Sequence, residues 1–173
     1  MSRGWMGLVL LASTAAAAQQ PPAPPPEVKK TVDAFFGNWA SSITMTTPDG
    51  KETKFKGTWA CGKKIAGGIA VECSMSTKIP GMGEMIESDF IGYDPETKSV
   101  HMMTWSNAGE IHDHKGTWTD DKTVTIDFTG TAGGKPLQEH MVITWADAKS
   151  LKYVFTAKSA DGEFKVVGDC KRK

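Results

Sequence analysis

The sequence lacks most of what would tie it to a particular chemistry. Beyond residue 18 no uninterrupted apolar run approaches the roughly 18 residues that a membrane-crossing helix needs, so no membrane span is expected. No excess of one charge exists either. Lys and Arg number 20 against 20 Asp and Glu, which removes the electrostatic case for nucleic acid or an anionic membrane as partner. Cysteine occurs only three times, without Cys-x-x-Cys or Cys/His spacing, and therefore no structural zinc site is indicated. Gly-x-Ser-x-Gly, phosphate-loop and dinucleotide patterns are absent, so no catalytic residue, no metal ligand and no cofactor is assigned.

What is present begins with an export signal. Ser2-Arg3 supplies a positive start, Trp5 to Leu11 an apolar core too short to span a bilayer, and Ala16-Ala17-Ala18 a small-residue cleavage site. Residues 1–18 therefore read as a secretory signal peptide, and the chain as an exported protein of the periplasm or beyond. Residues 19–26, Gln-Gln-Pro-Pro-Ala-Pro-Pro-Pro, form a polyproline-like linker, and 27–173 a single domain large enough to bury a core. Export implies an oxidising compartment. Cys61 and Cys73 flank a hairpin centred on Ala66-Gly67-Gly68, and a three-residue loop sets them opposite each other, which predicts a disulfide. Cys170 reads as a small buried apolar residue.

Val28, Val32, Phe35 and Phe36 recur at helical spacing over 27–36, the one helix candidate. From Trp39 onward ten runs alternate with turn chemistry, among them Pro48-Asp49-Gly50, Gly67-Gly68, Pro80-Gly81, Gly133-Gly134 and Asp161-Gly162. Within the runs apolar residues keep one parity, as in Val124, Ile126 and Phe128, or Met141, Ile143 and Trp145; Ile69, Val71 and Met75 are assigned to the same inner face. The opposite parity is wet, with Lys54, Lys56, Lys152 and Lys165. A flat sheet of ten strands would leave one apolar face and two edges open. Closure removes both. The expectation is an all-β protein, a ten-stranded antiparallel up-and-down barrel with the short N-terminal helix capping one end. The lysine-rich outer parity is the reverse of an outer-membrane barrel. Ten strands enclose enough room for a small apolar or amphipathic ligand, and Ile79 to Met85 is a flexible apolar connection that suits either a portal or a loop packed over the barrel end.

The run from Ser99 to Trp118 gathers three of the four histidines into one hairpin. With Ala108-Gly109 as a two-residue turn, one face carries His101, Met103, Trp105, His112, His114 and Trp118, the candidate ligand-binding set. A three-residue loop would shift the register by one and separate the two halves of that set. Three readings of the histidines stand side by side: a polar wall recognising a ligand, a three-histidine metal site, and purely structural hydrogen bonding. Glu110 is the nearest carboxylate of the same parity.

Phe36-Gly37-Asn38-Trp39 resembles the Gly-x-Trp corner of calycins, the lipocalin and fatty-acid-binding barrels. Together with Ile91-Gly92-Tyr93-Asp94-Pro95, Thr104-Trp105, Lys115-Gly116-Thr117-Trp118 and Asp161-Gly162, the chain resembles the bacterial family called domain of unknown function 1579 from about Phe35 to Arg172. That resemblance implies the calycin-like barrel and transfers no catalytic residue. A neighbouring group, the nitrobindin-like haem barrels, resembles this chain in its ten strands and Gly-x-Trp corner, but Ala40-Ser41-Ser42-Ile43 lacks the further glycines of that group, whose axial histidine comes from a C-terminal strand. The one candidate here, His140, lies on the outward parity beside Gln138 and Val142. The resulting expectation is a non-catalytic ligand-binding barrel, with a filled structural barrel and a haem or metal protein as the alternatives.

Overall fold

The computed structural model describes residues 23–173, so the signal-peptide segment and the first half of the proline-rich linker lie outside the described residues. The helix α1 spans Pro26–Phe35, and its first turn opens on Pro26, whose fixed φ and missing N–H suit that position. Ten strands follow: β1 Gly37–Thr46, β2 Glu52–Ile65, β3 Ala70–Ile79, β4 Gly83–Asp94, β5 Ser99–Ser106, β6 Ile111–Trp118, β7 Thr123–Ala132, β8 Lys135–Asp147, β9 Ser150–Ser159 and β10 Gly162–Arg172. Each pairs antiparallel with its sequence neighbours, and β1 pairs with β10 to close the barrel. No edge is left to pair with another chain. Among the described residues no helix is long and apolar enough to cross a membrane.

The helix plugs one barrel end because its stripe and its carbonyls are both used there. Val28, Thr31, Val32 and Phe35 are buried, and Phe35 lies edge-on between Trp59 and Trp145, with centroids 5.6 and 5.1 Å away. The last carbonyls of a helix have no intrahelical donors. Here Trp39 Nε1 donates to Phe35 O (2.9 Å), Trp145 Nε1 to Ala34 O (3.1 Å), and an Arg172 amino group to Ala34 O (3.2 Å). The Arg172 guanidinium also covers the Trp39 ring at 4.5 Å. The Gly-x-Trp corner is thus the latch of the plug.

Cys61 and Cys73 are disulfide-bonded, and Cys170 is free and buried. The β2–β3 connection holds four residues, 66–69, and a bulge after Ala60 on β2 restores the register that brings the two sulfurs together. Ile69 consequently sits in the connection, 45 % exposed, rather than on the inner face. The Lys-Gly-Thr-Trp run at Lys115–Trp118 places a glycine where β6 and β7 approach closely. A Cβ on Gly116 would run into the carbonyl oxygen of Thr125 and stand 2.6 Å from Ile126 Cα.

A candidate ligand cavity with a buried carboxylate–imidazole cluster

Below the helix plug the barrel is filled by Trp39, Val71, Ile91, Val100, Val124, Ile126 and their neighbours. Toward the other end it opens into a cavity of roughly 320 Å³. Met75, Met85, Met102 and Met141, with Ile143, Tyr153, Phe155 and Val166, supply its apolar wall. Thioethers and aromatic rings adapt to irregular apolar shapes. The polar part of the wall is one-sided: Glu87, Asp89, Glu110 and Glu139 face two imidazoles, and no lysine or arginine lines the cavity. Met85 and Ala108 belong to the lining, so the cavity reaches the barrel end that carries the β3–β4 and β5–β6 connections.

The β5–β6 hairpin turns through three residues, Asn107-Ala108-Gly109, not two. Ser106 N–H donates to Glu110 O (3.1 Å), Gly109 N–H donates to Ser106 O (3.0 Å), and Gly109 takes φ 84°, a conformation glycine adopts without strain. Asn107 fixes that choice. Its N–H donates to Ile86 O (2.9 Å), its side-chain amide donates to Glu84 O (2.9 Å), and its Oδ1 accepts from Ile86 N–H (3.2 Å), tying the loop to β4. Thr104 therefore stands opposite His112 and Met102 opposite His114.

The predicted six-residue face is split by this register. His112 and His114 line the cavity with Met102 and Thr104. His101, Met103 and Trp105 point outward instead: His101 contacts Ser99 and Asp113, Met103 is 39 % exposed, and Trp105 packs edge-on against Phe90 on the outer surface. Trp118 faces inward but under the plug, where its Nε1 donates to Thr31 Oγ1 (3.0 Å). It packs against Trp145 rather than lining the cavity. His140 is outward as expected, 2.6 Å from Asp127.

Three cavity groups escaped the sequence reading: Glu87, Asp89 and Glu139. Each was marked by a carboxylate on the apolar parity of its strand, Glu87 and Asp89 with Ile91, Glu139 with Met141 and Ile143. Asp89 is 3 % exposed and accepts hydrogen bonds from Thr104 Oγ1 (2.7 Å) and Trp59 Nε1 (2.8 Å). Burial still pushes its pKa up, since a desolvated carboxylate resists ionisation and two neutral donors only partly offset that cost. Glu87 is pushed up to about 7 by burial, with the negative charges of Asp89 and Glu139 adding to the effect.

Glu139 Oε2 lies 3.0 Å from His112 Nδ1 and 2.8 Å from His114 Nε2. The far nitrogen of His114, Nδ1, points at Met102 O (3.3 Å), whereas His112 Nε2 is buried without a hydrogen-bond partner, 3.9 Å from Glu110 Oε2. Burial works against a charged His114, but the hydrogen bond and charge of Glu139 outweigh it and hold its pKa above the ordinary histidine value. The Phe128 ring stacks on His112 at 4.1 Å and lies 5.5 Å from His114, fixing both imidazoles from β7. The cavity wall thus carries four carboxyl groups and two imidazoles beside its apolar residues.

Two solved structures share the barrel. The M. tuberculosis protein Rv2717c is 14 % identical, with a TM-score of 0.60 over 86 % of this chain and 98 % of its own. The S-type phycobiliprotein lyase CPES from Guillardia theta is 10 % identical, with a TM-score of 0.56 over 82 % of this chain and 90 % of its own. At such identities they speak for the fold. No curated protein matches the chain by sequence. The profile of one family, described as protein of unknown function (DUF1579), matches residues 24–170, and the chain belongs to that family.

Proposed function

We propose that this protein is an exported, non-catalytic carrier or sensor of a small amphipathic molecule, held with its apolar body against the methionine and aromatic wall and its polar head at the carboxylates. The observation that carries the reading is the one-sided cavity, in which four carboxylates and two imidazoles meet no lysine or arginine. Such a lining suits a head that is cationic or rich in hydrogen-bond donors, because buried carboxylates gain from a further donor where no lysine or arginine supplies one. His112 and His114 remain ligand-facing in this reading. The disulfide fits an oxidising compartment, in keeping with export.

A direct test uses two fluorescent probes of equal chain length, a long-chain alkylamine and a fatty acid that each carry a dansyl group at the far end of the chain and keep the amine or carboxyl free, titrated into chelator-treated protein. The amine is expected to bind at least about tenfold more tightly, the scale of one partly screened charge interaction. Met85→Trp, which narrows the mouth, should abolish binding while leaving the thermal transition in place. Equal affinity for both probes, or binding that survives the blocked mouth, would overturn the reading.

A further inference from the structure

We propose that His112, His114 and Glu139 form a binding site for one divalent transition-metal ion of the zinc class, on the cavity wall between β6 and β8. The inference does not need the amphipathic ligand. It starts from the convergence of two imidazole nitrogens on a single carboxylate oxygen, and the three candidate ligand atoms lie within 4.8 Å of one another. Metal–nitrogen and metal–oxygen bonds of about 2.0–2.2 Å separate neighbouring ligand atoms by roughly 3.3–3.6 Å in a tetrahedral site. The observed 2.8 and 3.0 Å separations therefore need to open by roughly half an ångström, and the two imidazole nitrogens, within 4.8 Å of each other, have to settle at the same spacing, to admit an ion.

Hydrogen-bond bookkeeping favours the ion over a plain hydrogen-bonded cluster. If a neutral His112 carries its proton on Nδ1 to donate to Glu139, its Nε2 is left as a bare acceptor in a buried place without a donor. When Nδ1 instead binds a cation, the proton sits on Nε2 and faces the Glu110 carboxylate, 3.9 Å away and within reach of a small side-chain adjustment. His114 is oriented in this sense, since Nδ1–H donates to the Met102 carbonyl and Nε2, once it gives up the proton it shares with Glu139, turns its lone pair on the site. Each imidazole would then have an outer partner that orients it, the usual support of a metal-bound histidine. Phe128 stacks beneath His112 and restricts its ring. Two nitrogens and one carboxylate match borderline cations better than calcium or magnesium, and three protein ligands leave coordination positions open to the cavity.

The experiment is calorimetric titration of the chelator-treated full chain with zinc chloride and cobalt(II) chloride, together with the visible spectrum of the cobalt form. One equivalent should bind, the cobalt form should show the bands of a low-coordinate nitrogen–oxygen centre, and Glu139→Gln and His114→Gln should each weaken binding at least about 100-fold. His140→Gln is the control, because His140 and Asp127 make an exposed imidazole–carboxylate pair on the outer surface. Loss of binding in that variant with retention in Glu139→Gln would overturn the proposal, as would no saturable binding at all. Should a cavity variant fail to fold, proton NMR of the wild-type protein with substoichiometric cobalt decides. Broadening that starts at the His112 and His114 ring signals supports the site, and broadening that starts at His140 refutes it. Probe binding measured on chelator-treated protein is a separate readout, so either idea can fail alone.

Discussion

Glu87 gives the cavity a pH signature that can be worked out in advance. Its carboxyl is pushed from an ordinary 4.5 to about 7, first by burial and then by Asp89 and Glu139. The folded state therefore holds that proton more tightly than the unfolded chain does. Stability is undiminished below about pH 4.5, falls as pH rises from there to about 7, and is level above. A displacement of this size corresponds to about 3 kcal/mol at most, and mutual screening within the cavity would reduce it. Glu87→Gln keeps the shape and removes the charge. At pH 8 the variant should be more stable than the wild type by roughly 1–3 kcal/mol, which for a chain of this length raises Tm by roughly 3–10 °C. At pH 4.5 the two should melt together. Thermal melts by far-ultraviolet circular dichroism, at constant ionic strength and with chelator present, measure both. A gain of the same size at both pH values would mean that charge is not the cause, and a loss at pH 8 would refute the buried, uncompensated carboxylate altogether.

Two further outcomes follow from the frame of the barrel. Gly116→Ala drives a methyl group into Thr125 O and Ile126, both on the neighbouring strand, and is expected to cost more than about 3 kcal/mol in urea denaturation; a cost under about 1 kcal/mol would show that β6 and β7 are not so close. Replacing Cys61 and Cys73 together by serine frees a loop with a sequence separation of 12 and should cost about 3 kcal/mol by chain entropy, while a double variant as stable as the wild type would mean that the link constrains nothing.

The barrel was legible because its signal is redundant. Ten runs, most with one apolar parity, and short polar turns admit few closures, and an error at one strand is corrected by its neighbours. The β2–β3 connection illustrates this: its loop has four residues, yet the bulge after Ala60 restores the pairing of Cys61 with Cys73. The candidate site rested on a single turn. On β5 both parities are apolar, Val100 and Met102 on one and Met103 and Trp105 on the other, so alternation could not choose between them. Asn107-Ala108-Gly109 serves a two-residue or a three-residue loop equally well in isolation.

What selects the longer loop is tertiary. Asn107 holds two backbone positions of β4 that local sequence does not announce, and it thereby turns Trp105 and Met103 outward. The same step leaves Met102 and Thr104 inside, opposite the histidines and beside two β4 carboxylates. A face read as aromatic and histidine-rich becomes acidic and histidine-rich instead. In the proposed readings this turns the preference from any apolar guest toward a cation, whether carried on an organic head or bare. Those readings therefore hang on the length of one turn, and the outer patch of Phe90, Met103, Trp105 and Ile111 is the other consequence of the same register.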